Sequence, residues 1–557
     1  MPAAALAQVP RTQVQCNGQI ITEVLVRSHA PTYGGLFERS PILGRLAGAM
    51  HVATAPSVIE EFVLLRRGER CSILLRRETE RILRAQPFLA DASVTAFADG
   101  MDGVRVEVVT SDEPSVVAGI GLTTVLPYVR SLTLGNANVG GRGVYVSGGW
   151  RHGGHYRDSW LAEYANYQLF GEPWRMRIDA ARQEHGYYLS TTVGYPFFSD
   201  VQPRAWRVAA GVSDQLIPFR SPELGRVALG LRREYVDLGG FVRLGAPGRL
   251  ALVGTSFSME RVRPDRVGSI VTDTGVIGDP SGVLEGRYVP EQVARLNLLL
   301  GYRQVNFLRV TGFGALTGPQ DVRRGVQLGV TLGQSLPWSG SSADATYAAL
   351  NLYAGAGSPT SFIATEVLGE GRRRQARDEW DALLWSGRLG WYLKPHAHHT
   401  IEGGIEFSAG SRQPVPFQLT LGDRRGGARG YERDEVGGGT RVVGRLEERW
   451  HFGTLPGTAD LGVALYSDVG RLWAGDVPLG ETTGYRASVG VGLLAAVPPR
   501  SRRMWRLDVA VPLRREAGAG VSIRVTNEDR TRAFWVEPSD LRRNPDRTTP
   551  LSVVGWP

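Results

Sequence analysis

From Ser115 onward helix signals almost vanish, and short segments of alternating apolar and polar residues recur in their place. Examples are Arg175 to Ala181 (RMRIDAA), Trp206 to Val212 (WRVAAGV), Val326 to Leu332 (VQLGVTL), Leu461 to Val469 and Trp505 to Leu513 (WRLDVAVPL), separated by Gly, Pro, Asp and Arg clusters. Alternation at this length marks strands with one apolar face, and a long uninterrupted series of them must close into a barrel or pair into sandwiches. Scale decides between the two. Some 430 residues of strand without helix, with Trp and Tyr gathered near segment ends, fit a transmembrane barrel with interfacial aromatic girdles. Sixteen strands allow about 27 residues for each strand and its connection, a comfortable spacing for an outer-membrane barrel.

Composition agrees and removes other classes. With 557 residues, 71 glycines and an apolar fraction of 42%, the chain is neither disordered nor a set of helical spans. The longest apolar stretch, Val489 to Val497, is strand-sized. A sequence pI near 9.7 raises nucleic acid as a partner, but the basic residues are spread along the chain and are almost all Arg, Lys394 being the one lysine. That pattern fits a charged barrel interior better than a nucleic-acid footprint.

Residues 16–111 differ from the rest. Ile20 to Val26 reads as a strand, and Ser57 to Leu65 puts Val58, Phe62 and Leu65 at helical spacing. Ser72 to Leu89 sets Leu75, Ile82, Leu83 and Phe88 on one helical face, stopped near Pro87. Two strands follow, Ala92 to Ala98 and Val104 to Thr110, about a turn at 99–103. The order is β-α-α-β-β, a small α+β domain. Cys16 and Cys71 are the two cysteines; in an exported chain they make one disulfide closing a loop of about 56 residues, worth roughly 4 kcal/mol in the chain-entropy account. In a cytosolic chain they are two small buried apolar residues. Export is favoured by Ala5-Leu6-Ala7 before Gln8, which has the small-x-small form of a signal-peptidase site, although a charged leader segment is missing.

Several stretches resemble a known family. ETERILRAQPFLADASV followed by GVRVEVVTSDEPS is similar to a POTRA domain, the periplasmic module that precedes outer-membrane assembly and translocation barrels. LTLGNANVGGRGVYV and the stretch ending GYPFFS resemble early barrel strands of the BamA and TamA group. Ala428-Arg429-Gly430-Tyr431 matches that group's Val-Arg-Gly-aromatic loop motif, Tyr466-Ser467-Asp468-Val469-Gly470 its aromatic-x-Asp-x-Gly strand, and Leu507 to Leu513 its penultimate strand. The resemblance implies a division into a signal remnant and linker (1–15), a POTRA-like domain (16–111), a 16-stranded antiparallel barrel (112–537) and a C-terminal tail (538–557) lying in the periplasm.

Alternation itself places the site residues. In Arg441 to Phe452 the mostly apolar set Val442, Gly444, Leu446, Trp450 and Phe452 faces lipid, so Arg445, Glu447, Arg449 and His451 face the lumen; in the next strand Tyr466, Asp468 and Gly470 point inward. A guanidinium folded back from the loop at 421–440 meets two carboxylates there, and the resemblance implies that partnership for Arg429, Glu447 and Asp468, with Gly430 and Tyr431 shaping the loop tip. Glu448 falls on the lipid face, against expectation.

Other chemistries fail on residues. The single lysine precedes Pro395, so no P-loop exists, and no Gly-x-Ser-x-Gly elbow occurs. His396, His398 and His399 form the one histidine cluster, at a strand end more typical of a solvated rim than a metal site. No catalytic residue, cofactor or metal is called for. The resemblance therefore implies an outer-membrane assembly factor that captures client strands through its POTRA-like domain and templates them at the barrel seam between Val116–Val125 and Val521–Trp535. Its partners are unfolded outer-membrane or secreted client proteins, outer-membrane lipid and periplasmic accessory proteins. The alternatives are a two-partner-type secretion pore and a passive porin or structural barrel.

Overall fold

The computed structural model describes residues 12–542, apart from 32, 43–44, 46–47, 49–51, 124–128, 153–156, 184, 222–223, 273, 377, 423–425, 432–435, 515–519 and 530–533. Most of the expected signal remnant, residues 1–11, and residues 543–557 of the tail lie outside the described residues.

The N-terminal unit is a five-stranded mixed sheet of order β1-β4-β5-β2-β3, formed by β1 (Gln13–Val14), β2 (Asn17–His29), β3 (Arg70–Ser72), β4 (Leu89–Asp99) and β5 (Gly103–Asp112). Its central pair, β2 and β5, is parallel, because the chain returns to the sheet through helices α1 (Pro56–Glu60) and α2 (Ile73–Arg84). Gln13 and Val14, placed in the linker by sequence, pair with β4 as a short edge strand. The core is apolar: Ile21, Val58, Phe62, Ile82, Leu83, Phe88, Val94 and Val106 are buried together, and a disulfide joins Cys16 to Cys71.

The remainder is a closed antiparallel barrel of 20 strands running from Val116 to Asp529, not the expected 16. The first part of the wall explains the excess. Six strands of 8 to 10 residues (Val116–Thr123, Val129–Asn136, Val144–Arg151, Ser159–Asn166, Arg175–Gln183 and Gly186–Tyr195) fit where the 16-strand spacing leaves room for about three. Later strands reach 22 residues, as in Gly225–Ala246. The alternation behaves as expected: Leu134, Leu238, Leu298, Leu446, Val491 and Leu493 are exposed on the outer face, whereas Arg303, Arg372, Arg441 and Asp468 are buried inside. An apolar exterior around a charged interior is stable only with lipid outside and hydrogen-bonded ion pairs within.

One end of the barrel carries short turns, such as Ala246 to Arg249 and Leu455 to Ala459, and the other carries long loops. The N-terminal unit docks on the short-turn end. Phe198, from a turn of the wall, enters its core and meets Phe62 edge-on at 6.0 Å between ring centres. The Arg84 guanidinium pairs in bidentate fashion with Asp321 (2.7 and 3.1 Å). The Arg502 guanidinium donates to the Gln86 carbonyl (3.0 Å), and Glu113 accepts from the Ser501 hydroxyl and the Arg502 amide (both 2.7 Å).

The tail expected outside the barrel takes another course in its described part. Past the last strand (Ser522–Asp529), residues 534–542 turn back into the lumen, and Trp535, Pro538, Asp540 and Leu541 are buried there. The physical reason is that Phe534 and Leu541 find apolar surface inside, while Asp540 finds a buried arginine, Arg441.

Candidate functional site

The loop joining the strands His399–Ser411 and Thr440–Leu455 folds inward rather than away from the barrel. Leu419 and Thr420 pair with Gly438 and Gly437, and Phe417, Leu419 and Leu421 pack with Leu384, Val443 and Leu472 of the wall. Gly470 makes room for this, since a Cβ there would lie 2.8 Å from a Leu421 methyl. Amides of Gly427 and Ala428 donate to the Gly422 and Leu421 carbonyls (3.0 and 3.1 Å), closing a turn that presents Arg429 to the lumen.

Arg429 meets both predicted carboxylates. Its Nε and Nη2 donate to Asp468 Oδ2 and Oδ1, each at 2.8 Å, its amide adds a third bond to Oδ2 at 3.0 Å, and Nη1 reaches Glu447 Oε2 at 3.2 Å. The guanidinium lies 3.5 Å above the Tyr466 ring centre. Gly430 takes a left-handed φ of 86°, and buried Tyr431 donates from its hydroxyl to the Ala487 carbonyl at 3.1 Å. The six residues read from sequence thus converge on one place.

Sequence reasoning missed half of the cluster. Arg506 grips Glu447 with two donors (2.8 and 3.2 Å) and pairs with Asp508 (2.9 Å), while the Arg449 Nε reaches Glu447 at 2.5 Å. Arg449 also pairs with Glu402, which accepts from Arg388 at 2.9 Å. Arg506 can cross to Glu447 over two strands because the nearer one, Arg486–Ala496, carries Gly490 and Gly492 on its lumen face. A Cβ at Gly490 would sit 2.4 Å from the Tyr466 ring and one at Gly492 2.6 Å from Asp508. Two lumen-facing glycines at i and i+2, flanked by charged strands, were the available signal.

Four guanidiniums (Arg388, Arg429, Arg449, Arg506) therefore face four carboxylates (Glu402, Glu447, Asp468, Asp508) beside a cavity of about 250 Å³. Bidentate, charge-assisted bonds give such a cluster direction as well as strength. Buried ion pairs add little net stability over apolar packing, but breaking one side of a pair is costly, so the cluster holds the loop in one position. It contains no nucleophile set against a base.

Glu448 also finds its reason. It lies on the outer face and bonds His399 Nε2 at 2.6 Å, with His399 stacked on Trp450 at 5.5 Å, close to the short-turn end. His398 and His451 face each other through Nδ1 atoms at 3.0 Å.

Residues 403–527, which hold Arg429, Glu447, Asp468 and Arg506, match the Omp85 superfamily domain. The barrel wall thus carries an Omp85 superfamily domain. With its closed wall, this places it in the bacterial outer membrane. Among solved structures it is similar to BamA from Haemophilus ducreyi lacking POTRA domains 1-3, at 13% identity over 91% of this chain and 84% of that one, with a TM-score of 0.36. It is also similar to CdiB from Escherichia coli, at 11% identity over 92% and 76%, with a TM-score of 0.47. A third likeness is CdiB from Acinetobacter baumannii, at 8% identity over 92% and 73%, with a TM-score of 0.39. No curated protein matches the sequence.

Proposed function

We propose that this Omp85 barrel inserts client β-strands into the outer membrane at the seam between its first and last strands. The observation that carries this reading is the seam itself. Among the described residues, Val116–Thr123 and Ser522–Asp529 share four register pairs, Ile120 to Thr123 with Val525 to Ser522, whereas the first strand shares seven with its other neighbour and the last shares eight. A wall whose ladder is shortest at one joint opens there first, and its freed edges are templates for another strand. The N-terminal sheet supports the same reading as a POTRA-like capture module facing the periplasm. Strand β2, next to the short edge strand β3, spans 13 residues, but among the described residues β3 pairs with it only at Asn17 and Ile20, leaving the edge beyond for strand addition.

A disulfide across the seam tests this. Leu122 and Ile523 stand opposite each other, and Leu122→Cys with Ile523→Cys locks the joint when oxidised. The oxidised barrel in liposomes is expected to lose its acceleration of client folding and the reduced barrel to recover it; equal acceleration in both states overturns the reading. A second reading, secretion of an unfolded partner through the lumen, draws support from the cavity of about 430 Å³ between α2 and the wall, lined by Arg84, Tyr167, Phe307 and Tyr353. The locked seam leaves that activity intact.

A further inference from the structure

The tail residues 534–541 run up the inside of the strand Glu379–His396, and each anchor is a different kind of contact. Phe534 lies over Gly390, among Phe313, Tyr353 and Phe362, and its ring meets Tyr353 edge-on at 5.8 Å. The Phe534 carbonyl accepts from Arg388 Nη1 at 3.1 Å. Three residues on, Glu537 accepts from the Ser386 hydroxyl at 2.8 Å. Three further on, Asp540 takes two bonds from Arg441 (2.6 and 3.2 Å), with both side chains almost fully buried. Leu541 closes the series in the cluster of Leu384, Leu421, Val443 and Leu472. Positions 390, 388, 386 and 384 are successive lumen-facing residues of one strand, so the tail reads the wall at strand spacing.

Among the described residues no strand pairing joins 534–541 to the wall. The segment is held by side chains and can leave without breaking any rung of the barrel. When it leaves, Arg441 keeps the Thr420 carbonyl as a partner (2.7 Å), and Arg388 keeps Glu402. An intact wall with a preformed row of aromatic, hydroxyl, guanidinium and apolar contacts is a binding site rather than a core.

We propose that the lumen face of Glu379–His396, with Tyr353 and Arg441, is a binding site for extended peptides bearing an aromatic residue, carboxylates three and six positions later and a terminal apolar residue, and that the chain's own Phe534–Leu541 fills it in cis. Because it concerns the lumen and not the seam, this inference stands whichever way clients pass, and its test does not measure insertion.

The test uses the full chain and a labelled synthetic peptide of residues 534–541. Asp540→Arg, which sets a guanidinium against Arg441, expels the tail and is expected to raise peptide binding at least tenfold over the unaltered protein, with a matching rise in single-channel conductance. The peptide carrying Arg in place of Asp should not bind this variant. Adding Arg441→Asp should restore the pair, return the tail and lower peptide binding and conductance together. Leu541→Ala loosens the tail with less risk to folding, which gel mobility before and after boiling monitors, and is expected to raise binding several-fold. Failure of both variants to bind more peptide than the unaltered chain overturns the proposal, as does equal binding of the Asp and Arg peptides.

Discussion

Replacing Arg429 with Ala tests whether the inward loop is held by charge or by packing. Asp468 is fully buried, and among the described residues its hydrogen bonds come from Arg429: two from the guanidinium and one from the backbone amide. The variant leaves the carboxylate in place with the amide bond alone. Breaking a buried pair from one side costs about 3–5 kcal/mol, and the retained amide puts this case near the lower end, at about 3 kcal/mol. Glu447 is little affected, since Arg449 and Arg506 still hold it. Removing both partners, as Arg429→Ala with Asp468→Ala, leaves no orphaned charge and should cost about 1 kcal/mol, so with Asp468→Ala alone as the third variant the double-mutant cycle shows a coupling of at least about 2 kcal/mol. Urea unfolding in lipid vesicles, followed by tryptophan fluorescence and gel mobility, measures all three variants. The reasoning is refuted if the double variant is no more stable than Arg429→Ala, or if Arg429→Ala alone unfolds at the unaltered midpoint. In the client-folding assay Arg429→Ala is expected to fall in activity while remaining a folded barrel.

Docking of the N-terminal unit should weaken in acid. Burial works to raise the Glu78 carboxyl, but Arg81, the Ser199 hydroxyl and Arg303 together hold it below its ordinary value of 4.5. The folded state then binds fewer protons than the unfolded one, so this contribution is complete above about 4.5 and is lost as pH falls through the depressed value. Limited proteolysis of the N-terminal unit across that range should show increasing cleavage, and Glu78→Gln should flatten the dependence. Replacing both Cys16 and Cys71 with Ser opens a disulfide spanning 55 residues and should destabilise the N-terminal unit by about 4 kcal/mol while leaving the heat-modifiable barrel intact. Oxidised protein should show no thiol reactivity until denatured and reduced. Gly490→Leu should push on Tyr466 and disorder the Arg429 clamp, read as a loss of the coupling measured above, whereas the same change at exposed Gly148 should not.

The lumen assignment of Arg445, Glu447, Arg449 and Asp468 was legible because alternation is a local property: a strand turns successive side chains to opposite faces whatever its neighbours do. The α+β unit was legible for the same reason, from the helical spacing of Ile82 and Leu83 and the strand pattern of β4 and β5. Arg429 was placed by a loop motif, and the register that sets Arg445 opposite Asp468 comes from the short turn at 456–458 together with a one-residue shift between His451 and Gly453. Three features lay beyond local pattern. The strand count of 20 depends on how short the first six strands are, and an eight-residue strand and its turn read much like part of a longer one. Arg506 reaches Glu447 across 59 positions of sequence and over two intervening strands, a meeting decided by the barrel wall and by the bare lumen face of Gly490 and Gly492. The polar composition of 538–557 reads as a solvated tail, yet Asp540 lies beside Arg441, 99 positions away, because the closed wall creates a charged, low-dielectric interior in which such a pair can form. Sequence alone thus determined which faces are apolar, which are charged and where the chain changes architecture, since these are settled within a few residues. Closure of the wall decided which charges meet and what fills the lumen, since those partners share no local signal and come together only when the last strand joins the first.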